Sequence, residues 1–142
     1  MSLRPLSPLL LLLLLAGCRN SALDPATQQY LDKAAADFNL VAGGASEPKE
    51  RQLLITQSGP GLGLTFKYRI ARFSAKDRPT AELKQYAETL RGELPAKLNR
   101  TELFKDLARH QVVLTYRYAG SDGKELFSFR LVPVAGPAYG PG

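Results

Sequence analysis

Residues 62–70 read Leu-Gly-Leu-Thr-Phe-Lys-Tyr-Arg-Ile, and this stretch has the clearest alternation of the chain. Apolar or aromatic residues occupy every second position, and Lys67 and Arg69 stand between them. Because successive side chains of a β-strand point to opposite faces of a sheet, the pattern predicts a strand with one buried and one solvated side. We expect Phe66 in the core and the two cations on the open side.

A second predicted strand precedes this one at residues 52–57, and Gly59-Pro60-Gly61-Leu62-Gly63 joins the two. Such a glycine-rich run also suggests a phosphate-binding loop. A loop of that kind opens a helix whose amide groups face the phosphate, whereas here a strand follows. We therefore interpret the glycines as a hairpin turn.

Another predicted hairpin covers residues 111–118 and 126–131, with Gly120-Ser121-Asp122-Gly123 as its turn. Its alternation places Leu114 and Phe129 in the core, and it places Leu126, Ser128 and Arg130 on the polar side. Residues 64–68 and 114–118 match in kind at every position. We interpret this match as one amphipathic strand pattern used twice, with duplication as the alternative.

Three helices are predicted around these strands. Asp24-Pro25 begins the first, since aspartate caps free amide groups and proline is tolerated in the first turn. Thr80 caps a second, which Pro95 ends or kinks. Asn99 begins a short third helix, with Glu102 as its capping-box partner.

The predicted order is helix, hairpin, helix with a short extra helix, hairpin. It favours an α+β two-layer domain over residues 24–133, with a four-stranded antiparallel sheet and the helices on one face. Aromatic residues are expected to fill the layer between sheet and helices: Tyr30, Phe38, Phe66, Tyr86, Phe104, Phe127 and Phe129. The proline- and glycine-rich residues 134–142 are predicted to form a disordered tail.

The first 17 residues have the three parts of a secretory signal peptide: Arg4 near the start, an apolar run over residues 9–15, and then small residues. The run is shorter than the roughly 20 residues that span a bilayer. Cys18 follows at the position of the cleavage site. A lone buried cysteine is the alternative interpretation of this residue.

The tetrad Leu15-Ala16-Gly17-Cys18 closely resembles the lipobox of bacterial lipoproteins. The resemblance implies cleavage before Cys18, a diacylglyceryl group on its sulfur, and an acyl chain, such as palmitate, on its new amino group. Several acyl chains hold a soluble domain durably at a membrane. Residues 18–23 then form a lipidated tether. Arg19, which is not the aspartate that favours inner-membrane retention in that family, implies the outer membrane, facing the periplasm.

The chain has 19 basic and 13 acidic side chains, and removal of the signal, which contains Arg4, leaves a basic excess of five. For an exported protein, this charge suggests anionic lipid headgroups, lipopolysaccharide, peptidoglycan or an acidic envelope protein as partners, and no nucleic acid. Cys18 is the single cysteine, so no disulfide is expected within the chain.

Catalytic motifs are sparse. His110 is the single histidine, so the ligand spacings of zinc sites are absent from the sequence. It also has no flanking hydrolase motif. Glu102 and Asp106 stand one helical turn apart and are expected to be solubilising. We predict no enzyme activity, no metal and no cofactor.

The polar side of the predicted sheet is the candidate site. It carries a candidate anion-binding set, Lys67, Arg69, Arg117 and Arg130. The alternative is a surface whose basic side chains serve only to keep the sheet soluble.

The leading hypothesis is a non-catalytic, membrane-anchored envelope lipoprotein that supports or assembles an envelope component through protein contacts. The alternative is a module that binds an anionic envelope ligand. A cell-wall enzyme would need a cleft with perturbed acids.

Overall fold

The structure of the protein is a computed structural model that describes residues 23–42, 50–77, 80–135 and 138–142. These ranges contain three α-helices, a short 3-10 helix (Ala75–Asp77) and five strands. The α-helices and strands are α1 (Pro25–Ala42), β1 (Arg51–Ser58), β2 (Gly63–Ile70), α2 (Ala81–Leu98), α3 (Glu102–Arg109), β3 (Val113–Ala119), β4 (Glu125–Val134) and β5 (Ala138–Pro141). The predictions for the signal peptide and Cys18 lie outside the described residues. Within the described ranges, no helix is both long and apolar enough to cross a bilayer.

The five strands form one mixed sheet in the order β1-β2-β3-β4-β5. Strands β2 and β3 are parallel, and the other neighbours are antiparallel. The α+β class is confirmed, but the four-stranded antiparallel sheet is wrong. Two helices connect β2 to β3, and a connection of that length allows parallel pairing, whereas a tight turn requires antiparallel pairing.

The matching pentapeptides pair with each other. Leu64 faces Leu114, and every later residue of the first pentapeptide faces its counterpart in the second. Phe66 and Tyr116 stack with ring centroids 4.8 Å apart, and Tyr68 and Tyr118 stack at 5.1 Å. The repeated pattern therefore forms the parallel centre of the sheet, where like side chains lie in rows.

One face of the sheet is buried under the helices. Phe66, Leu114 and Phe129 are 2%, 0% and 7% exposed, so their predicted core positions are confirmed. Phe38 of α1 and Phe104 of α3 both contact the ring of Phe66. The other aromatic residues predicted for this layer are partly buried against the core: Tyr30, Tyr86 and Phe127.

The ends of the helices agree only in part with the predictions. Asp24 Oδ1 accepts a hydrogen bond from Thr27 N at 2.7 Å, and Thr80 Oγ1 accepts one from Leu83 N at 3.1 Å, so both caps are confirmed. Helix α2 continues through Pro95 to Leu98. Because Pro95 lies in its last turn, the missing amide removes one bond close to the end of the helix.

The predicted start of the third helix at Asn99 is wrong. Asn99 is instead the C-terminal cap of α2, and α3 begins at Glu102 with Thr101 before it. The Asn99 side chain binds the edge of the sheet, because its Oδ1 accepts a hydrogen bond from Tyr139 N at 3.0 Å.

The prediction of a disordered tail is wrong for residues 138–141. They form β5, which pairs antiparallel with β4. Tyr139 is 3% exposed, and its burial together with the bond to Asn99 stabilises a strand that its own composition does not favour. The domain therefore extends beyond residue 133.

Both outer strands of the sheet are capped by asparagine side chains. At β1, Asn39 of α1 accepts from Thr56 N at 2.7 Å and donates to Thr56 O at 2.9 Å. At β5, Asn99 accepts from Tyr139 N. Such caps satisfy backbone groups that would otherwise be free to pair with another chain.

The glycine-rich run at residues 59–63 joins β1 to β2, as predicted for a hairpin connection, and no helix follows it. Gly59 and Gly61 have φ angles of +93° and +59°, which glycine adopts without strain. Gly59 N donates to Gly63 O at 2.7 Å and closes the turn.

Candidate functional site: the open basic face

The second face of the sheet carries the four predicted cations, and we call it the open basic face. It is defined by Lys67 and Arg69 on β2, Arg117 on β3 and Arg130 on β4. Lys67 and Arg117 are direct partners across the parallel pair, and Arg130 pairs with Thr115. The ring contacts made by the helices go to the opposite face, since Phe38 and Phe104 contact Phe66. The structure therefore brings all four cations to one side.

Arg117 differs from the other three cations because it has an acidic partner. Its Nε donates to Glu125 Oε1 at 2.6 Å, and both side chains are about half exposed. Within the described ranges, Lys67, Arg69 and Arg130 have no ion-pair partner. The face thus holds three uncompensated positive charges.

Sequence reasoning missed Glu125, and the cause is a β-bulge. The register between β3 and β4 shifts at Tyr118/Ala119, so that Phe127 faces Tyr118 and Glu125 faces Ala119. The extra residue, Leu126, is 4% exposed, so its predicted place on the polar side is wrong. Strict alternation puts Glu125 on the core face with Phe127, but one inserted residue reverses the face.

Apolar side chains stand at two margins of the open basic face. A second bulge, between Leu53 and Ile55, pairs Ile55 with Lys67 and leaves the isoleucine 40% exposed. Val132 and Val134 of β4 are 37% and 52% exposed at the other margin. The face therefore combines a basic centre with apolar edges.

The loop before β2 covers one end of this face. Thr65 is only 7% exposed, although it alternates with Lys67 and Arg69. Its hydroxyl donates to Gly59 O at 2.7 Å, which holds the glycine-rich turn over it. The two cations of β2, Lys67 and Arg69, accordingly lie beyond this covered end of the strand.

His110 is the C-terminal cap of α3, on the helical side of the molecule. Its Nδ1 lies 2.9 Å from Asp106 O, and since a carbonyl only accepts, Nδ1 is the donor. Its ring packs against Tyr30 at 4.4 Å between centroids. No hydrogen bond among the described residues joins this ring to a serine or threonine hydroxyl.

Asp106 is occupied by Tyr30, whose hydroxyl donates to Asp106 Oδ2 at 2.5 Å. Burial, with the hydrogen bond to this carboxylate, raises the pKa of the Tyr30 phenol. Burial likewise raises the pKa of Tyr139, whose hydroxyl has no hydrogen-bond partner among the described residues. Both phenols are therefore held neutral, which suits a structural contact and not a general base.

Glu102 and Asp106 each lie beside other polar side chains. Glu102 lies 3.3 Å from Lys105 Nζ and 3.8 Å from Arg109, whereas Asp106 binds Tyr30. Arg109 also lies 3.9 Å from Asp106 Oδ1, so one cation stands beside both carboxylates and offsets the mutual repulsion that creates a catalytic acid and base.

Another candidate lies between α1 and β1, where a cleft of about 560 Å³ includes Asp32 and Ser58. Ser58 Oγ donates to Asp32 Oδ1 at 2.7 Å. That bond, and a second one from Gln28, lower the pKa of Asp32 and make it a weak base. In the described part of the chain, no three histidine, cysteine or acidic residues are grouped as metal ligands.

Comparison with solved structures found two similar chains. A candidate secreted protein from Pseudomonas aeruginosa has a TM-score of 0.53 and 10% identity, over 75% of this chain and 93% of that protein. The pilotin EpsS of the Vibrio vulnificus type 2 secretion system has a TM-score of 0.48 and 11% identity, over 75% of this chain and 92% of its own. No family model and no curated relative matches the chain. Likeness at such low identity concerns the fold alone.

Proposed function

We propose that this protein is a lipid-anchored, non-catalytic accessory protein of the bacterial envelope, and that it supports or assembles an envelope component through protein contacts. The observation that carries the proposal is the contrast between its surfaces. His110, Asp106 and Asp32, the acid–base candidates on the helical side, each have a structural partner, whereas broad, exposed surfaces remain uncovered. Such surfaces suit macromolecular contacts better than a reaction.

The anchor is supported by the lipobox resemblance at Leu15-Ala16-Gly17-Cys18. An acylated Cys18 facing the periplasm from the outer membrane fits the arginine that follows it. The core lies between Leu31 and Tyr139, so lipidation at Cys18 leaves the folded domain intact.

Protein contact is supported by exposed apolar side chains where α1 and β1 pack together. Leu40, Val41 and Leu54 are 81%, 64% and 52% exposed. The bonds from Asn39 to Thr56 place the end of α1 beside this strand, so the three residues lie close to one point of contact. Scattered apolar residues are ordinary on a surface, but neighbours from two packed elements indicate an interaction patch.

The alternative function, binding of an anionic envelope ligand, is favoured by the three cations of the open basic face that have no ion-pair partner. The two functions use different surfaces and are compatible within one protein.

The anchor is tested by replacing Cys18 with serine and fractionating the cells. We expect the parent to sediment with outer membranes that have been washed in high salt, and the Cys18→Ser protein to leave this membrane fraction. Equal sedimentation of the two proteins would exclude the lipid anchor.

Protein contact is tested in the same cells with a photo-crosslinking residue at Leu40, and with one at the exposed Gln85 of α2 as the matched control. We expect a discrete crosslinked envelope protein from position 40 and none from position 85. No crosslink at position 40, or the same products at both positions, would contradict contact through the apolar patch.

A further inference from the structure

The open basic face has an excess of positive charge that its own side chains do not balance. Lys67 and Arg117 are direct partners on neighbouring strands, and strands in a sheet lie about 4.8 Å apart. Like charges placed opposite each other on a sheet destabilise it. Glu125 offsets Arg117, but Lys67 has no such partner within the described ranges. An external anion would relieve this repulsion.

The shape of the face decides between two kinds of anionic partner. The sheet is five strands wide, roughly 20 Å at the usual spacing. The cations are spread over β2, β3 and β4, and Arg130 lies opposite Thr115 and not in line with the pair of Lys67 and Arg117. Ile55 and Val132 stand exposed at opposite margins. An acidic peptide needs a line of cations, whereas a broad basic centre with apolar rims fits an anionic plane with an apolar layer beneath it.

The position of the anchor favours the same partner. Six residue steps separate Cys18 from Asp24, which directly precedes α1, and a fully extended chain covers at most about 3.5 Å per residue. A lipid on Cys18 therefore holds the domain within roughly 20 Å of the bilayer. A weak attraction between the domain and the lipid headgroups then acts at high effective concentration.

We propose that the open basic face lies against an anionic phospholipid bilayer and so orients the domain at the membrane. The inference rests on the proposed anchor for its geometry, but the attraction itself belongs to the folded domain. Lys67, Arg69 and Arg130 supply the charge, and Ile55, Val132 and Val134 contact the headgroup boundary. The helical side, with the apolar patch at Leu40, then faces away from the headgroups or along them.

The test uses the fragment from Arg19 to Gly142, which contains every core residue of the described structure. Its binding is measured by co-sedimentation with vesicles of phosphatidylcholine alone and of phosphatidylcholine with phosphatidylglycerol. We expect binding only to the anionic vesicles. It should weaken steeply as salt rises, since screening acts over about 8 Å at physiological ionic strength.

Two charge-reversal variants distinguish the effect of this face from the effect of the net charge of the protein. Arg69→Glu with Arg130→Glu changes the open basic face, and Lys33→Glu with Lys84→Glu makes the same change at exposed positions on α1 and α2. Each cation near an anionic surface strengthens binding roughly fivefold. We expect a loss of at least about tenfold in the first variant, with a clearly smaller loss in the second. Thermal melts confirm that both are folded.

Several results would overturn the proposal: no binding of the parent to anionic vesicles, equal losses in the two variants, or binding of a polyglutamate peptide in place of vesicles. The last result would assign the face to an acidic protein segment. The failure of this test is distinguishable from failure of the anchor, because the fragment lacks Cys18 and the fractionation of the full chain does not use the face variants.

Discussion

The two faces of the sheet differ sharply, although the same strands build both. On β2, Phe66 is 2% exposed beneath two helices, while Arg69 of the same strand is exposed and lacks an ion-pair partner in the described ranges. The covered face is closed by stacked rings, whereas the open basic face keeps uncompensated charge. The alternation of one strand thus separates a buried, stabilising side from an exposed, charged side, and this separation is open to experiment.

The largest expected effect comes from the covered face. Phe66→Ala removes a buried ring that touches Phe38, Phe104 and Tyr116, and it should lower the free energy of unfolding by about 3–5 kcal/mol. Arg69→Ala on the same strand should change it by less than about 0.5 kcal/mol. Urea denaturation of the fragment from Arg19 measures both. Similar losses in the two variants would break the distinction between the faces.

A smaller effect is expected at the margin between the faces. Asn39→Ala removes both side-chain bonds to the backbone of Thr56, a residue that is 2% exposed. Unpaired buried groups cost about 1–3 kcal/mol, so a loss in that range is expected by urea denaturation. Asn39→Asp keeps the acceptor for Thr56 N and loses the donor for Thr56 O. Its free energy of unfolding should therefore lie between those of the parent and of Asn39→Ala. A fully stable Asn39→Ala protein would contradict the role of this cap.

The smallest expected effect is a loss of stability at acidic pH, and it arises from two carboxylates at and in α1, Asp24 and Asp32. The backbone amide of Thr27, and then its hydroxyl, lower the pKa of Asp24, and bonds from Ser58 and Gln28 lower that of Asp32. A lowered pKa in the folded state gives stability that is complete above the ordinary value near 3.8. That stability is lost as the pH falls below this value, through the lowered pKa.

Urea midpoints measured from pH 6 to pH 2 test this dependence. The double variant Asp24→Asn, Asp32→Asn should decline less steeply below pH 4 than the parent, while Arg69→Ala should decline as the parent does. If the double variant follows the curve of the parent, these two carboxylates do not carry the acid dependence.

The sequence predicted structural features that depend on neighbouring residues, and it missed features that depend on residues distant along the chain. The alternation around Phe66 and the caps at Asp24 and Thr80 are encoded within a few residues, and the structure confirms them. The parallel pairing of β2 with β3 is not encoded locally. The strand β5 depends on the burial of Tyr139 and on Asn99, which is 40 residues away along the chain.

For the candidate site, the sequence placed four cations on one face but missed their surroundings. Two bulges, near Leu54 and Leu126, bring Ile55 and Glu125 to that face. A bulge is a one-residue change in pairing, and no composition signal in either strand marks it. The site is therefore less purely basic than strict alternation predicts.

The difference between the two faces is tested most directly by measuring which side of the domain contacts a membrane. The fragment from Arg19 has no cysteine, so a single one carries a polarity-sensitive fluorophore at a chosen position. Ser128→Cys, exposed on the open basic face, and Gln85→Cys, exposed on α2, form the matched pair. With vesicles containing phosphatidylglycerol, we expect a blue shift at position 128 and none at position 85. A shift at position 85 without one at position 128 would contradict membrane contact through the open basic face.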